Sequence, residues 1–172
     1  MKPNDDQMTQ FSSEQITRAG MLLDAARTKS LKIATAESCT GGLIAGLLTE
    51  IAGSSDVFER GFVTYSNEAK AEILNVPEDL LKTHGAVHAD VARAMCAGAL
   101  ENSRADLAVA VTGIAGPGGG SRSKPVGLVH LAAGRRDGEI NHLECQYGDL
   151  GRANVRAETI NDALNLLMKL TS

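Results

Sequence analysis

Leu31-Lys32-Ile33-Ala34-Thr35-Ala36-Glu37-Ser38-Cys39-Thr40-Gly41-Gly42-Leu43-Ile44-Ala45-Gly46-Leu47-Leu48 reads as a strand that runs into a helix through a turn of small residues. The apolar run over 31–36 has the length of a buried strand, and residues 43–48 have the apolar content of a helix that covers it. Between them stand three candidate nucleophiles in a row, Ser38, Cys39 and Thr40, followed by Gly41 and Gly42. Glycine lets a ligand approach the backbone closely because it has no Cβ. A helix starting here points unpaired N–H groups at whatever lies above the turn. A structural role accounts for the same residues, with Ser38 or Thr40 as the helix N-cap. The turn alone does not separate capping from catalysis.

Working outward, Ser12 and Gln15 form a capping box, and Ile16, Ala19, Leu22, Leu23 and Ala26 repeat at helical spacing, predicting a helix that ends near Lys29. On the other side, residues 58–66 read as a strand with a loaded end, Tyr65-Ser66-Asn67-Glu68-Ala69-Lys70. A helix starting at Asn67 or Glu68 places Lys70 in its first turn, where the helix dipole opposes a cation and favours the neutral amine. Pro77 opens a short helix, and a long Ala-rich helix follows His88 or Ala89. Residues 105–112 are nearly continuous apolar strand and end in Gly113-Ile114-Ala115-Gly116-Pro117-Gly118-Gly119-Gly120. In open α/β sheets ligands bind at the carboxyl ends of strands, where this loop, the Ser38 turn and Tyr65 all fall. The loop is neither a Walker loop nor a dinucleotide fingerprint. Lys124, at its end, is placed to reach back over a ligand. Residues 126–133 and 140–147 alternate as a β-hairpin, with Arg135 and Arg136 read as solvated turn residues. In the last helix Arg152 and Arg156 are four apart and share a face near its start. Cations there are unfavourable unless an anion such as a phosphate docks beside them; plain surface arginines are the alternative.

The whole chain of 172 residues fits one domain, with residues 1–11 as a loose tail and 12–172 as the folded unit. The tail lacks the apolar core of a signal peptide. Apolar residues make up 43% of the chain but aromatics only 3%, so Ala, Leu, Val and Ile must fill the core through close helix–sheet packing. A net charge of −4 without a basic block argues against nucleic-acid binding. Cys39, Cys96 and Cys145 are far apart and form no C-x-x-C pair, which predicts reduced thiols and a cytoplasmic setting. No apolar run is long enough to span a membrane. Gly85 separates His84 from His88, and neither His130 nor His142 has a partner visible in the sequence, so no metal site is expected.

Taken together in order, Glu37-Ser38-Cys39-Thr40-Gly41-Gly42, the run 65–70, His84-Gly85-Ala86-Val87, Thr112 to Gly120, Lys124-Pro125-Val126-Gly127 and Gly148-Asp149 with Arg152 and Arg156 closely resemble the CinA C-terminal domain family in its stand-alone PncC form. The resemblance covers residues 12–170. It implies a three-layer α/β/α sandwich with a mixed, largely parallel sheet and the hairpin in its C-terminal half. It implies an amidase that hydrolyses the carboxamide of nicotinamide mononucleotide to nicotinic acid mononucleotide and ammonia, in pyridine nucleotide recycling, without metal or cofactor. A homo-oligomer, with a dimer favoured, goes with it. The family's catalytic serine falls on Ser38 and its lysine on Lys70, a Ser–Lys variant of the nucleophile–base pair. Tyr65 would orient or relay protons, and N–H groups around Cys39, Thr40, Gly41 and Gly42, or of the glycine loop, would hold the oxyanion. Thr112, Gly113 and Gly116 would line the ligand; Arg152, with Lys124 or Arg156, would bind the phosphate. Cys39 is the rival nucleophile. Two departures from the family pattern stand out: Leu150 and Gly151 separate Asp149 from Arg152, and the loop 121–124 has no acidic residue before Lys124. The competing function is a non-catalytic nucleotide-binding or interaction module of the competence- or damage-inducible type.

Overall fold

A computed structural model describes residues 10–172; most of the expected tail, residues 1–9, lies outside the described residues. The first helix, α1 (Ser13–Thr28), opens with the predicted capping box, Ser12 accepting from the Gln15 amide. Then come β1 (Ile33–Glu37), α2 (Leu43–Glu50), a 3-10 turn over Ser54–Asp56, β2 (Phe58–Val63), α3 (Asn67–Leu74), α4 (Glu78–His84) and α5 (Ala89–Glu101). The chain finishes with β3 (Leu107–Gly113), the hairpin β4 (Leu128–Arg135) and β5 (Ile140–Gln146), and α6 (Arg152–Leu170).

The five strands form one sheet in the order β2-β1-β3-β4-β5. β1 lies parallel to both neighbours, with Ile33 opposite Phe58 and Leu107, while β3–β4 and β4–β5 are antiparallel. Four of the five strands therefore run the same way and β4 runs against them. The carboxyl ends of β1, β2 and β3 meet at one edge of the sheet, and that edge carries the site. The second strand is shorter than expected: it stops at Val63, because Ser66 turns its hydroxyl to the Ala69 amide and starts α3.

Side chains alternate across the sheet into two unequal cores. Ile33, Leu107, Val109, Val111, Val129 and Leu131 meet α1, α2 and α6 through Leu22, Leu23, Leu47, Leu48, Leu164 and Leu167. The opposite face is almost all alanine, with Ala34, Ala36, Ala108, Ala110 and Ala132 under Val91, Met95 and Ala99 of α5. Small residues let α5 settle close to the sheet, and the scarcity of aromatics forces this arrangement. Helix α5 in turn carries α3: a Cβ on Gly98 would stand 2.0 Å from the Leu74 carbonyl oxygen. The hairpin turn is less solvated than its charge suggests. Arg136 folds back, and its guanidinium donates to the carbonyls of Leu100, Ser103 and Ala105, closing the C-terminal end of α5.

Candidate active site

Ser38 follows directly on β1. Its amide continues the ladder to the Val111 carbonyl at 3.0 Å, so the strand fixes where its side chain points. Lys70 sits in the first turn of α3 and reaches back to the same spot. Its Nζ lies 2.9 Å from Ser38 Oγ and 2.8 Å from the Thr64 carbonyl oxygen. The lysine is 1% exposed and makes no ion pair among the described residues. Burial without a counter-ion disfavours the ammonium and lowers the pKa of Lys70. A neutral amine accepting from a serine hydroxyl is the chemistry of a nucleophile beside its base.

The turn itself departs from the expectation drawn from its sequence. Neither Ser38 nor Thr40 caps α2; the N-cap is Gly42, at φ 100°, and it has no side chain to offer. The helix start is satisfied by Glu37 instead. Its fully buried carboxylate accepts from the Ala45 amide at 2.8 Å and from the Thr40 hydroxyl at 3.2 Å, with the Gly42 and Ile44 amides also facing it. Burial raises the pKa of Glu37, and these donors pull it back down. The N–H groups expected to stay free above the turn thus serve an internal carboxylate. Among the described residues, the Cys39, Thr40 and Gly42 amides of the turn donate to no carbonyl; the Gly42 amide faces Glu37 and the Cys39 amide faces its own thiol, which leaves the Thr40 amide. On the other side of the turn, Arg156 donates from Nε to the Cys39 carbonyl at 3.2 Å and from a terminal nitrogen to the Thr40 carbonyl at 3.1 Å. This arginine braces the nucleophile turn.

Cys39 lies close enough to Lys70 for their charges to act on each other, but no hydrogen bond joins them. Its side chain is part of the core under α1, α2 and α6, the face opposite α3. Burial pushes its thiol up to about 11, so it stays protonated at neutral pH. Of the remaining expected residues, Tyr65 is 62% exposed and its hydroxyl accepts from Arg152 at 3.0 Å. Arg152 also donates to the Gly116 carbonyl at 2.9 Å. It therefore spans from the end of β2 to the loop after β3, across the end of β1 that carries Ser38. Thr112 is buried and donates to the Ala86 carbonyl at 2.9 Å, and Lys124 Nζ bonds the His84 carbonyl. Both tie the 84–88 turn to the site rather than project into open space. The structure brings Ser38, Lys70, Tyr65, Arg152, Gly116 and Thr112 to one edge of the sheet and leaves Cys39 facing away.

The family model for the CinA C-terminal domain matches residues 15–171. The chain belongs to the CinA C-terminal domain family. Among its relatives in this family, nicotinamide-nucleotide amidohydrolase PncC of Escherichia coli (strain K12) is 49% identical over 156 residues, which is 90% of this chain and 93% of that protein. A putative competence-damage inducible protein of Caldicellulosiruptor bescii is 53% identical over 142 residues. That match takes in 82% of this chain but only 34% of the relative, and the chain spans about a third of several such longer CinA relatives. The crystal structure of competence/damage inducible protein CihA from Agrobacterium tumefaciens superimposes with a TM-score of 0.94 at 53% identity, covering 96% of this chain and all of that one. The mixed sheet with helices on both faces is thus the CinA-superfamily fold.

Two features of the CinA-type site were not anticipated from the sequence. Glu37 was readable only as part of a motif; the signal was a charged residue closing an apolar strand, which must find buried donors. The contacts among the histidines were not visible in the sequence. His130 and His142 face each other across the hairpin with Nδ1 and Nε2 2.9 Å apart. His84 and His88 stack at 4.0 Å even though Gly85, at φ 73°, ends α4 between them.

Proposed function

We propose that this chain is a nicotinamide-nucleotide amidase that works through Ser38 and Lys70. The observation that carries the proposal is the buried Lys70 amine, without a counter-ion among the described residues, 2.9 Å from Ser38 Oγ. The Escherichia coli relative named a nicotinamide-nucleotide amidohydrolase, matched over nearly its whole length, supplies the substrate class. Lys70 takes the Ser38 proton as Oγ attacks the carboxamide carbon. The tetrahedral oxyanion lies against the Thr40 amide, the donor in the turn that neither Glu37 nor the Cys39 thiol takes up. Lys70 then hands its proton to the departing ammonia, leaving an ester on Ser38. Water, deprotonated by the same amine, cleaves that ester and releases nicotinic acid mononucleotide. Arg152 exchanges its bond to the Gly116 carbonyl for the substrate phosphate, while its bond to the Tyr65 hydroxyl holds the guanidinium in place. Thr112 and Gly113 wall the ribose side. Cys39 takes no part in bond making, since its thiol is protonated and faces the other core.

A module that only binds nucleotides has no use for a buried, uncompensated amine beside a serine hydroxyl, which costs stability without giving affinity. We place the enzyme in the cytoplasm, in pyridine nucleotide recycling, as a homodimer. Val63, Tyr65 and Leu150, exposed beside the site, give the dimer its apolar contact. Ammonia release from nicotinamide mononucleotide tests the proposal, with wild type beside Ser38→Ala and Lys70→Ala. Turnover that is lost in both variants, from folded proteins, supports it. Turnover that survives either substitution refutes the assigned pair, and no turnover by the wild type refutes the amidase.

A further inference from the structure

All four histidines of the chain, far apart in sequence, gather in one row beside the start of α5. His84 closes α4, His88 is the N-cap of α5, and His130 and His142 belong to the hairpin. The ring centroids of successive pairs are 4.0, 6.4 and 5.1 Å apart. A carboxylate joins one end: one ligand atom from each of His84, His88 and Asp90 lies within 4.8 Å of the others. The row borders a hollow of about 440 Å³ lined in part by His88, His130, Glu144 and Lys124, which Ser38 and Lys70 do not reach. The reaction proposed above uses none of these histidines.

We propose that His84, His88 and Asp90 bind a divalent transition ion of the zinc class. The donor set of two imidazoles and one carboxylate is the kind that holds such an ion, with a further position left for water. It is too rich in nitrogen for magnesium or calcium, which take oxygen. His88 Nδ1 accepts from the Asp90 amide at 3.2 Å, so its lone pair points towards Asp90, the side on which the carboxylate ligand stands. One Asp90 oxygen stands 3.8 Å from the same Nδ1, while the other faces Arg93 at 3.6 Å. An ion entering between Nδ1 and the near oxygen takes over the lone pair from the amide and leaves the Arg93 contact in place. His84 supplies the third ligand. Its ring now stacks on His88 at 13°, which sets their in-plane lone pairs side by side, so binding turns the His84 ring out of the stack. Its place at the end of a helix, ahead of Gly85, and its partial exposure leave it room to turn. His130 and His142 already bond each other and stay outside the first coordination sphere. The ion fixes the 84–88 turn, whose carbonyls at His84 and Ala86 receive Lys124 and Thr112.

The test is zinc titration of the full chain after dialysis against chelator, followed by calorimetry and by thermal unfolding. Wild type should bind one equivalent and unfold at a higher temperature with zinc than without. His84→Ala should weaken binding at least tenfold. His88→Asn should do the same while keeping an N-cap acceptor for α5, so that loss of binding is separable from loss of the helix. His142→Ala should leave stoichiometry and affinity unchanged. Absence of a bound equivalent in wild type overturns the proposal, as does binding that survives His84→Ala and His88→Asn or disappears with His142→Ala.

Discussion

Lys70 is a cation-forming residue held where a cation is unwelcome, and its two neighbours explain why it stays. The Thr64 carbonyl and Ser38 hydroxyl satisfy the amine without a countercharge. Arginine at this position cannot give up its proton, so Lys70→Arg holds a fixed charge where Lys70 offers a free amine, and it removes the base. We expect kcat to fall by about 10²–10⁴-fold, the range typical of general-base catalysis, with circular dichroism unchanged. A variant that retains full kcat would show that the amine does not act as a base. The lowered pKa also fixes the direction of pH effects. The base works as free amine, so activity should rise with pH through the folded-state pKa of Lys70. For stability, the unfolded chain binds the lysine proton over the window between that lowered value and the ordinary one, and the folded chain does not. Stability from this group therefore rises with pH across that window, and the cost of burying the amine is fully present below it. Unfolding temperatures of wild type and Lys70→Met, measured over pH, should show Met gaining most on wild type at the acid end. A constant difference would mean that the amine titrates as though exposed.

Helix α3 delivers Lys70, and what places α3 is its crossing with α5 rather than anything in its own sequence. At Gly98 the backbones of the two helices come so close that a methyl group would stand 2.0 Å from the Leu74 carbonyl oxygen. Gly98→Ala should cost about 1–3 kcal/mol, as overpacking does, although alanine is the better helix former, and it should move α3 and lower kcat. Urea unfolding and kcat at a temperature where the variant remains folded would check both; a gain in stability would refute the crowding. Similar reasoning explains what was legible. The strand–turn–helix at Ser38, the capping box of α1 and the Ser66–Lys70 helix start rest on neighbours within a few residues, and the sequence displays those. Bonds from Glu37 to the start of α2 span eight residues, and those from Arg156 to Cys39 span 117. Arg156 donates to main-chain carbonyls in the structure, and such partners are announced by no side-chain pattern. The row of histidines escaped notice because it is assembled from a helix end, a helix start and a hairpin.

The two cores of the sheet divide the work of holding the molecule together and of aligning its site. Large aliphatic side chains fill the face under α1, α2 and α6, whereas alanines line the face under α5. Composition alone foretold close packing but not which face would receive it. The asymmetry matters because Lys70 rides on α3, α3 rests on α5, and α5 rests on those alanines. Leu131, fully buried on the aliphatic face, should behave as an ordinary core residue. Leu131→Ala should cost about 2–5 kcal/mol and leave kcat within a small factor of wild type at a temperature where it is folded. Ala110, fully buried on the other face, belongs to the alanine layer under α5. Ala110→Leu should cost less, about 1–3 kcal/mol, yet depress kcat far more, because lifting α5 also lifts α3 and lengthens the distance from Lys70 Nζ to Ser38 Oγ. Restoring room with Met95→Ala in the same chain should recover part of that activity. If kcat instead tracks stability in the same proportion for both variants, α5 is not the support on which the catalytic distance depends.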